Sequence, residues 1–179
     1  MELRTHRLNL RELSQADVDV IHQLHSLAET DKYNTLGIPA TIETTLTLVS
    51  EWISTQNESP RKKYVLCLES NEGAFIGLIG LNLGKPAYRN AEIWFKLFPE
   101  YWNHGFATEA VNSILHFCFT DLALHRVTAG CAVENVASAK VLEKAGMLKE
   151  GRCRQILPIR GEWHDNFEFA ILESDFLRK

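Results

Sequence analysis

Residues Ala91 to Val111 read AEIWFKLFPEYWNHGFATEAV, and the way this stretch is parsed decides the fold. Its first eight residues alternate, with Glu92, Trp94 and Lys96 on one side and Ile93, Phe95 and Leu97 on the other. That is the period of a strand. From Ala107 the period changes: Ala110, Val111, Ile114, Leu115, Cys118 and Leu122 fall on a helical stripe. Between them lies a turn of small residues, Gly105-Phe106-Ala107, placed where the helix begins. Backbone N–H groups from Asn103 to Thr108 then point outward, and the helix dipole adds partial positive charge. Such a turn admits an anion close to the main chain; on its own it reads more simply as a plain tight turn.

Strand character continues before this stretch. Lys63–Glu69 and Ala74–Leu83 are separated by the turn SNEG and read as a β-hairpin, so with Ala91–Phe98 they form an antiparallel meander. Arg7–Leu13 alternates and forms a first strand. Ser14 caps a helix with Val18, Val20, Ile21 and Leu24 on one side, and a second helix covers Ile42–Ser54. Residues Thr30–Thr41 form a break. After the central stretch come a strand at His125–Val133, a short helix from Asn135 to Ala145 with Gly146 as its C′ residue, and two closing strands. Strand–helix–strand across residues 91–133 has the length of a parallel crossover. An antiparallel meander therefore meets a parallel step, and α/β sheets open ligand crevices at such points.

The whole chain of 179 residues reads as one domain, 1–179, with 45% hydrophobic and 23% charged residues. A net charge of −4 gives no basic face for nucleic acid and accommodates a cationic amine substrate. The four cysteines, Cys67, Cys118, Cys131 and Cys153, have no metal-ligand spacing and sit in apolar stretches. They read as buried free thiols in a reducing compartment. With a charged N-terminus and no long apolar run, the expectation is a cytoplasmic protein without membrane association. No histidine spacing suits a catalytic metal.

Three further groups carry chemistry or a structural alternative. Asn135 and Ser138, three apart, share a helix face: Asn135 holds an extended ligand or simply caps the helix. Glu92 is a general base at the strand edge or a solvated charge. Trp163, His164, Asp165 and Glu168 offer an aromatic and carboxylates to an amine, or just a hairpin whose Trp163 packs on the core.

In this order and spacing the segments resemble the GNAT superfamily of acetyl-CoA-dependent N-acetyltransferases, and within it the RimJ/RimL type named for ribosomal-protein N-termini. THRLNLREL, FIGLIGL, the central stretch, LALHRVTAGCAVENVASAKVLEKAGMLKEG and GEWHD carry the resemblance. It implies a mixed α/β domain with about seven twisted strands and about four helices, splayed between the fourth and fifth strands. It also implies that acetyl-CoA is the co-substrate, with no metal. Pantetheine would pair with Lys96, Leu97 and Phe98, and the pyrophosphate would sit on Asn103, His104, Gly105, Phe106, Ala107 and Thr108. Asn135 would contact pantetheine, and Ser138 would serve the departing thiolate. A backbone N–H near Leu97 or Phe98 would hold the oxyanion, and Glu92 would act as base through water.

The acceptor implied is a primary amine: a protein N-terminus, or a small amine such as a polyamine, amino acid or antibiotic. A non-catalytic CoA-binding sensor is the alternative that Trp94 raises, because it stands where the branch commonly has glycine. Asn103-His104 replaces the usual Gly-Lys and removes fixed positive charge from the loop. Monomer and homodimer both remain open.

Overall fold

The alternation after Arg7 does make a strand, yet it is the second of eight. In the computed structural model, which describes residues 1–178, Glu2–Arg4 (β1) folds antiparallel onto Leu8–Glu12 (β2). Three residues are too few to show a period, so β1 had no signature. Lys179, the last residue of the expected domain, lies outside the described residues.

Lys63–Ser70 (β3), Phe75–Leu83 (β4) and Asn90–Leu97 (β5) form the expected meander. Arg126–Ala132 (β6) joins β5 in parallel, and Leu148–Ile159 (β7) and Glu162–Leu172 (β8) make the closing hairpin. One mixed sheet results, in the order β1-β2-β3-β4-β5-β6-β8-β7.

Among the described residues six α-helices cover it: Val18–Ser26 (α1), Ala28–Asp31 (α2), Ile42–Ser54 (α3), Phe106–Thr120 (α4), Val136–Lys144 (α5) and Glu173–Phe176 (α6). The two beyond the expected four, α2 and α6, are single turns, and α2 intrudes on the anticipated break at Thr30. Ser14 donates its N–H and hydroxyl to Asp17 (2.7 and 3.0 Å), fixing the entry to α1. After α5, Gly146 N–H bonds the Glu143 carbonyl and Met147 N–H the Leu142 carbonyl, the paired bonds of a Schellman end.

Each face of the sheet carries a helical layer. On one, Ala110, Val111, Ile114, Leu115 and Cys118 of α4 and Leu142 of α5 bury against Ile93, Leu97 and Phe169. On the other, Val18, Ile21 and Leu24 of α1 and Val49 and Trp52 of α3 bury against Val65, Cys67 and Leu78. Strand β4, covered on both sides, reads as a continuous apolar run for that reason. Truncating a fully enclosed residue such as Ile114 to alanine would cost about 2–5 kcal/mol. The odd residues of β5 thus belong to the α4 layer and the even ones to the α1/α3 layer, as the alternation required.

Candidate active site

Strands β5 and β6 pair for only three residues: Asn90 with Arg126, Ala91 with Val127, and Glu92 with Thr128. Beyond Glu92 they part, although β5 runs on to Leu97 and β6 to Ala132. The opposite edge of β5 stays zipped to β4, and its parity is fixed by Phe98 N–H to the Ile76 carbonyl (3.0 Å) and Gly84 N–H to the Asn90 carbonyl (2.9 Å). Even residues therefore turn their backbone groups to β4, and Ile93, Phe95 and Leu97 turn theirs into the split.

This corrects two expectations. The Phe98 N–H is already bonded, so it cannot serve an oxyanion, and the Lys96 backbone faces β4 rather than a pantetheine chain. Phe95, which the sequence reading passed over, offers its backbone to the split instead. Trp102 donates Nε1–H to the Leu97 carbonyl (2.9 Å) and leaves the Leu97 N–H open.

At the C-terminal end of β5 the chain passes through Asn103 (φ 63°) and Gly105 (φ 81°) into α4. A glycine suits this left-handed position, and a Cβ there would crowd Arg7 Nη2 at 3.3 Å. The first intrahelical bond is Glu109 N–H to the Gly105 carbonyl (3.0 Å), so the amides of Phe106, Ala107 and Thr108 precede the helical ladder. These exposed or half-buried groups fit an anionic diphosphate.

The loop is braced by Arg7, which no local pattern in the chain singles out. Its guanidinium bonds Glu109 Oε2 (2.7 Å) and the His104 carbonyl (2.9 Å) and lies 4.5 Å over the Phe106 ring. Burial would raise the Glu109 carboxyl, but bonds from the Thr5 hydroxyl and from Arg7 hold it below the usual carboxylate range. A carboxylate in the first turn would otherwise repel an anion, and here it is neutralised.

Asn135 is the N-cap of α5: its Oδ1 accepts the Ser138 N–H at 3.2 Å, which leaves the Ser138 hydroxyl uncommitted by the cap. Both follow the end of β6, as the loop 103–108 follows the end of β5, so both flank the open end of the split.

The even residues of β5 line its other face. Glu92 stands where the strands part, accessible to solvent, and its carboxyl is raised by burial and by Glu168 on β8. Asn166, buried beside Gly130, donates to Glu168. Trp94 lies flat on Gly80, its cross-strand partner, whose Cβ would strike the indole ring, and it packs 5.9 Å from Trp52. Glycine on β4 thus makes room for the tryptophan, which forms part of the wall.

Lys96 buries its Nζ without a hydrogen-bond partner among the described residues. Burial lowers its pKa to about 8, against the opposing pull of Asp31. Asp31 on α2 is itself buried and accepts Arg160 Nε at 3.2 Å from the β7–β8 tip. Of the four hairpin residues considered from sequence, Glu168 alone reaches Glu92. Asp165 is held by Arg152 and by the Gln155 N–H (2.7 and 2.8 Å), and Trp163 is 63% exposed rather than packed on the core.

Cys67, Cys118 and Cys131 are buried free thiols, whereas Cys153 is only partly covered. Among the described residues no group of His, Cys, Asp or Glu is placed to hold a metal ion, and no helix is long and apolar enough to cross a membrane.

Residues 7–148 match the model of the acetyltransferase (GNAT) domain. The chain is 31% identical to the uncharacterized N-acetyltransferase YnaD of Bacillus subtilis, over 98% of this chain and 99% of the other. An acetyltransferase structure of the GNAT family from Bacillus anthracis superposes with a TM-score of 0.84 at 30% identity, covering 97% and 99% of the two chains. The spermidine N-acetyltransferase of Vibrio cholerae, solved with CoA and spermine, superposes with a TM-score of 0.85 at 26% identity, again over 97% and 99%.

Proposed function

This chain belongs to the GNAT family of acetyl-CoA-dependent N-acetyltransferases, and we propose that it acetylates the primary amine of a small molecule in the split between β5 and β6. The observation that carries this reading is the unpaired edge of β5 beyond Glu92, leading into the amide loop 103–108. Acetyl-CoA, when bound, supplies a thioester whose carbonyl accepts the amine.

The chain's own residues divide the remaining work. Amides of the loop hold the pyrophosphate, and the Phe95 carbonyl and the Leu97 N–H pair along the pantetheine arm. Glu92 removes the ammonium proton through water; its raised pKa makes it a better base than a free carboxylate. Phe95, three residues from Glu92 and about 10 Å along the strand, is nearer the base than Leu97, so its N–H is the better placed oxyanion donor. Ser138 gives its hydroxyl proton to the sulfur as the C–S bond breaks, and the second proton released by the attacking nitrogen restores that hydroxyl. The amine nitrogen attacks directly, with no covalent enzyme intermediate.

A small acceptor is favoured because Arg160 bonds Asp31 from the hairpin tip to α2, bridging the two walls of the acceptor side. The spermidine enzyme among the structural relatives supports the same choice. A protein N-terminus, which the RimJ/RimL resemblance suggests, must thread a peptide past that bridge and stands second. We take residues 1–179 as one domain working in the cytoplasm, alone or as a homodimer. Release of free thiol from acetyl-CoA, followed over a panel of polyamines, amino acids and short peptides, tests the proposal. Turnover with a small amine is expected; background rates throughout would refute it.

A further inference from the structure

We propose that Lys96 binds a carboxylate on the acceptor, so that the amine acetylated belongs to an amino acid with an apolar side chain. This rests on the acetyl-transfer reading above and names its substrate class.

The Lys96 ammonium on this face has no bonded partner among the described residues. Asp31, 3% exposed, gives one oxygen to Arg160, and its other oxygen has no hydrogen-bond partner among the described residues. Lys96 feels the field of Asp31, yet the two form no ion pair. The neighbouring His25, 2% exposed, is held neutral: burial, then Lys96 and His22, lower its pKa to about 3. Asp31 bonds Arg160 rather than Lys96, and no carboxylate among the described residues bonds Lys96 Nζ. A buried ammonium without a bonded partner is unfavourable, so the group missing at Nζ is an acceptor, which a carboxylate supplies with its charge. A polyamine has no carboxylate to offer it.

Position agrees with charge. Lys96 follows Phe95 directly and shares a face with Trp94 and Glu92, about 13 Å of strand separating Glu92 from Lys96. An acceptor with its amine toward Glu92 and its carboxylate toward Lys96 is a zwitterion. His25 also borders a cavity of about 130 Å³ lined by Leu36, Gly37, Pro39, Thr45 and Leu48, which suits one apolar side chain. Leu36, Gly37 and Pro39 of this lining belong to the non-helical segment 32–41, and Thr45 and Leu48 to α3.

The test is titration calorimetry on the CoA-loaded protein with L-leucine, L-leucinamide and spermidine, using wild type, Lys96→Met and Lys96→Arg. Leucinamide keeps the amine and side chain and lacks the carboxylate. The wild type should bind leucine at least tenfold more tightly than leucinamide or spermidine. Lys96→Met should abolish that preference with an unchanged far-UV spectrum, and Lys96→Arg should restore part of it. Equal or tighter binding of leucinamide or spermidine, no binding of leucine, or a preference that survives in Lys96→Met overturns the assignment. Thiol release with the same compounds separates the two readings. A leucine preference without thiol release supports the carboxylate site and counts against acetyl transfer. A uniform fall in kcat for every amine in Lys96→Met assigns Lys96 to the reaction and overturns its role in recognition.

Discussion

Arg7 and Glu109, 102 positions apart in the chain, share three contacts: the Arg7 N–H to Oε1 at 2.8 Å, Nε to Oε2 at 2.7 Å and Nη2 to Oε2 at 2.7 Å. Through Arg7 the turn between β1 and β2 is fastened to the start of α4 and, by the His104 carbonyl, to the loop before it. The loop amides, which we propose as the anion site, are thereby held in one arrangement in advance.

Arg7→Met should therefore weaken acetyl-CoA about tenfold or more, roughly 1.4 kcal/mol, by freeing the loop and exposing the Glu109 charge. Arg7→Lys should recover little, because an ammonium cannot make the forked contact with carboxylate and carbonyl together. Calorimetric titration of acetyl-CoA into each variant checks both expectations.

Glu92→Gln should lower kcat by about 10²–10⁴, the usual worth of a general base. The pH profile carries the sign. Glu92 must be ionised to accept a proton, so activity falls as pH is lowered through its pKa, which stands above the ordinary carboxylate value. A rate–pH profile of the wild type should show that acid limb, and the Gln variant should lose it.

His25 predicts an acid-side loss of stability. Its folded-state pKa, about 3, lies below the ordinary value near 6.5, so below 6.5 the unfolded chain binds a proton that the folded chain refuses. The contribution is present above pH 6.5 and is lost as pH falls toward 3, by up to about 1.4 kcal/mol per unit. Urea midpoints between pH 7 and pH 4 should fall more steeply for the wild type than for His25→Gln.

Gly80→Val should force Trp94 off the sheet, since the added side chain occupies the space of the indole ring. A destabilisation of about 1–3 kcal/mol is expected, with a change in tryptophan emission and a raised KM for the acceptor. Chemical denaturation and steady-state kinetics measure the two effects separately.

Much of this site could be read from residues 91–111. The alternation Glu92, Trp94, Lys96 against Ile93, Phe95, Leu97 correctly divided the two helical layers, and the small turn at Gly105 stands where the period changes. The error at Phe98 came from the backbone: which N–H groups face the split depends on pairing with β4, which side-chain periodicity does not record. Arg7, Asp31 and Arg160 left no local trace because their partners are distant in sequence, and a brace of this kind has no period. Trp94 looked like an obstruction until Gly80, on another strand, was seen to give it room.

The proposed seat of the acetyl-CoA pyrophosphate is the loop from Asn103 to Thr108. Titrating acetyl-CoA into the wild type and into Gly105→Glu tests it most directly. That substitution sets a side chain on a left-handed residue and a negative charge among the amides. The wild type should bind saturably and the variant not at all at millimolar concentration; equal affinity in the two overturns the pyrophosphate assignment.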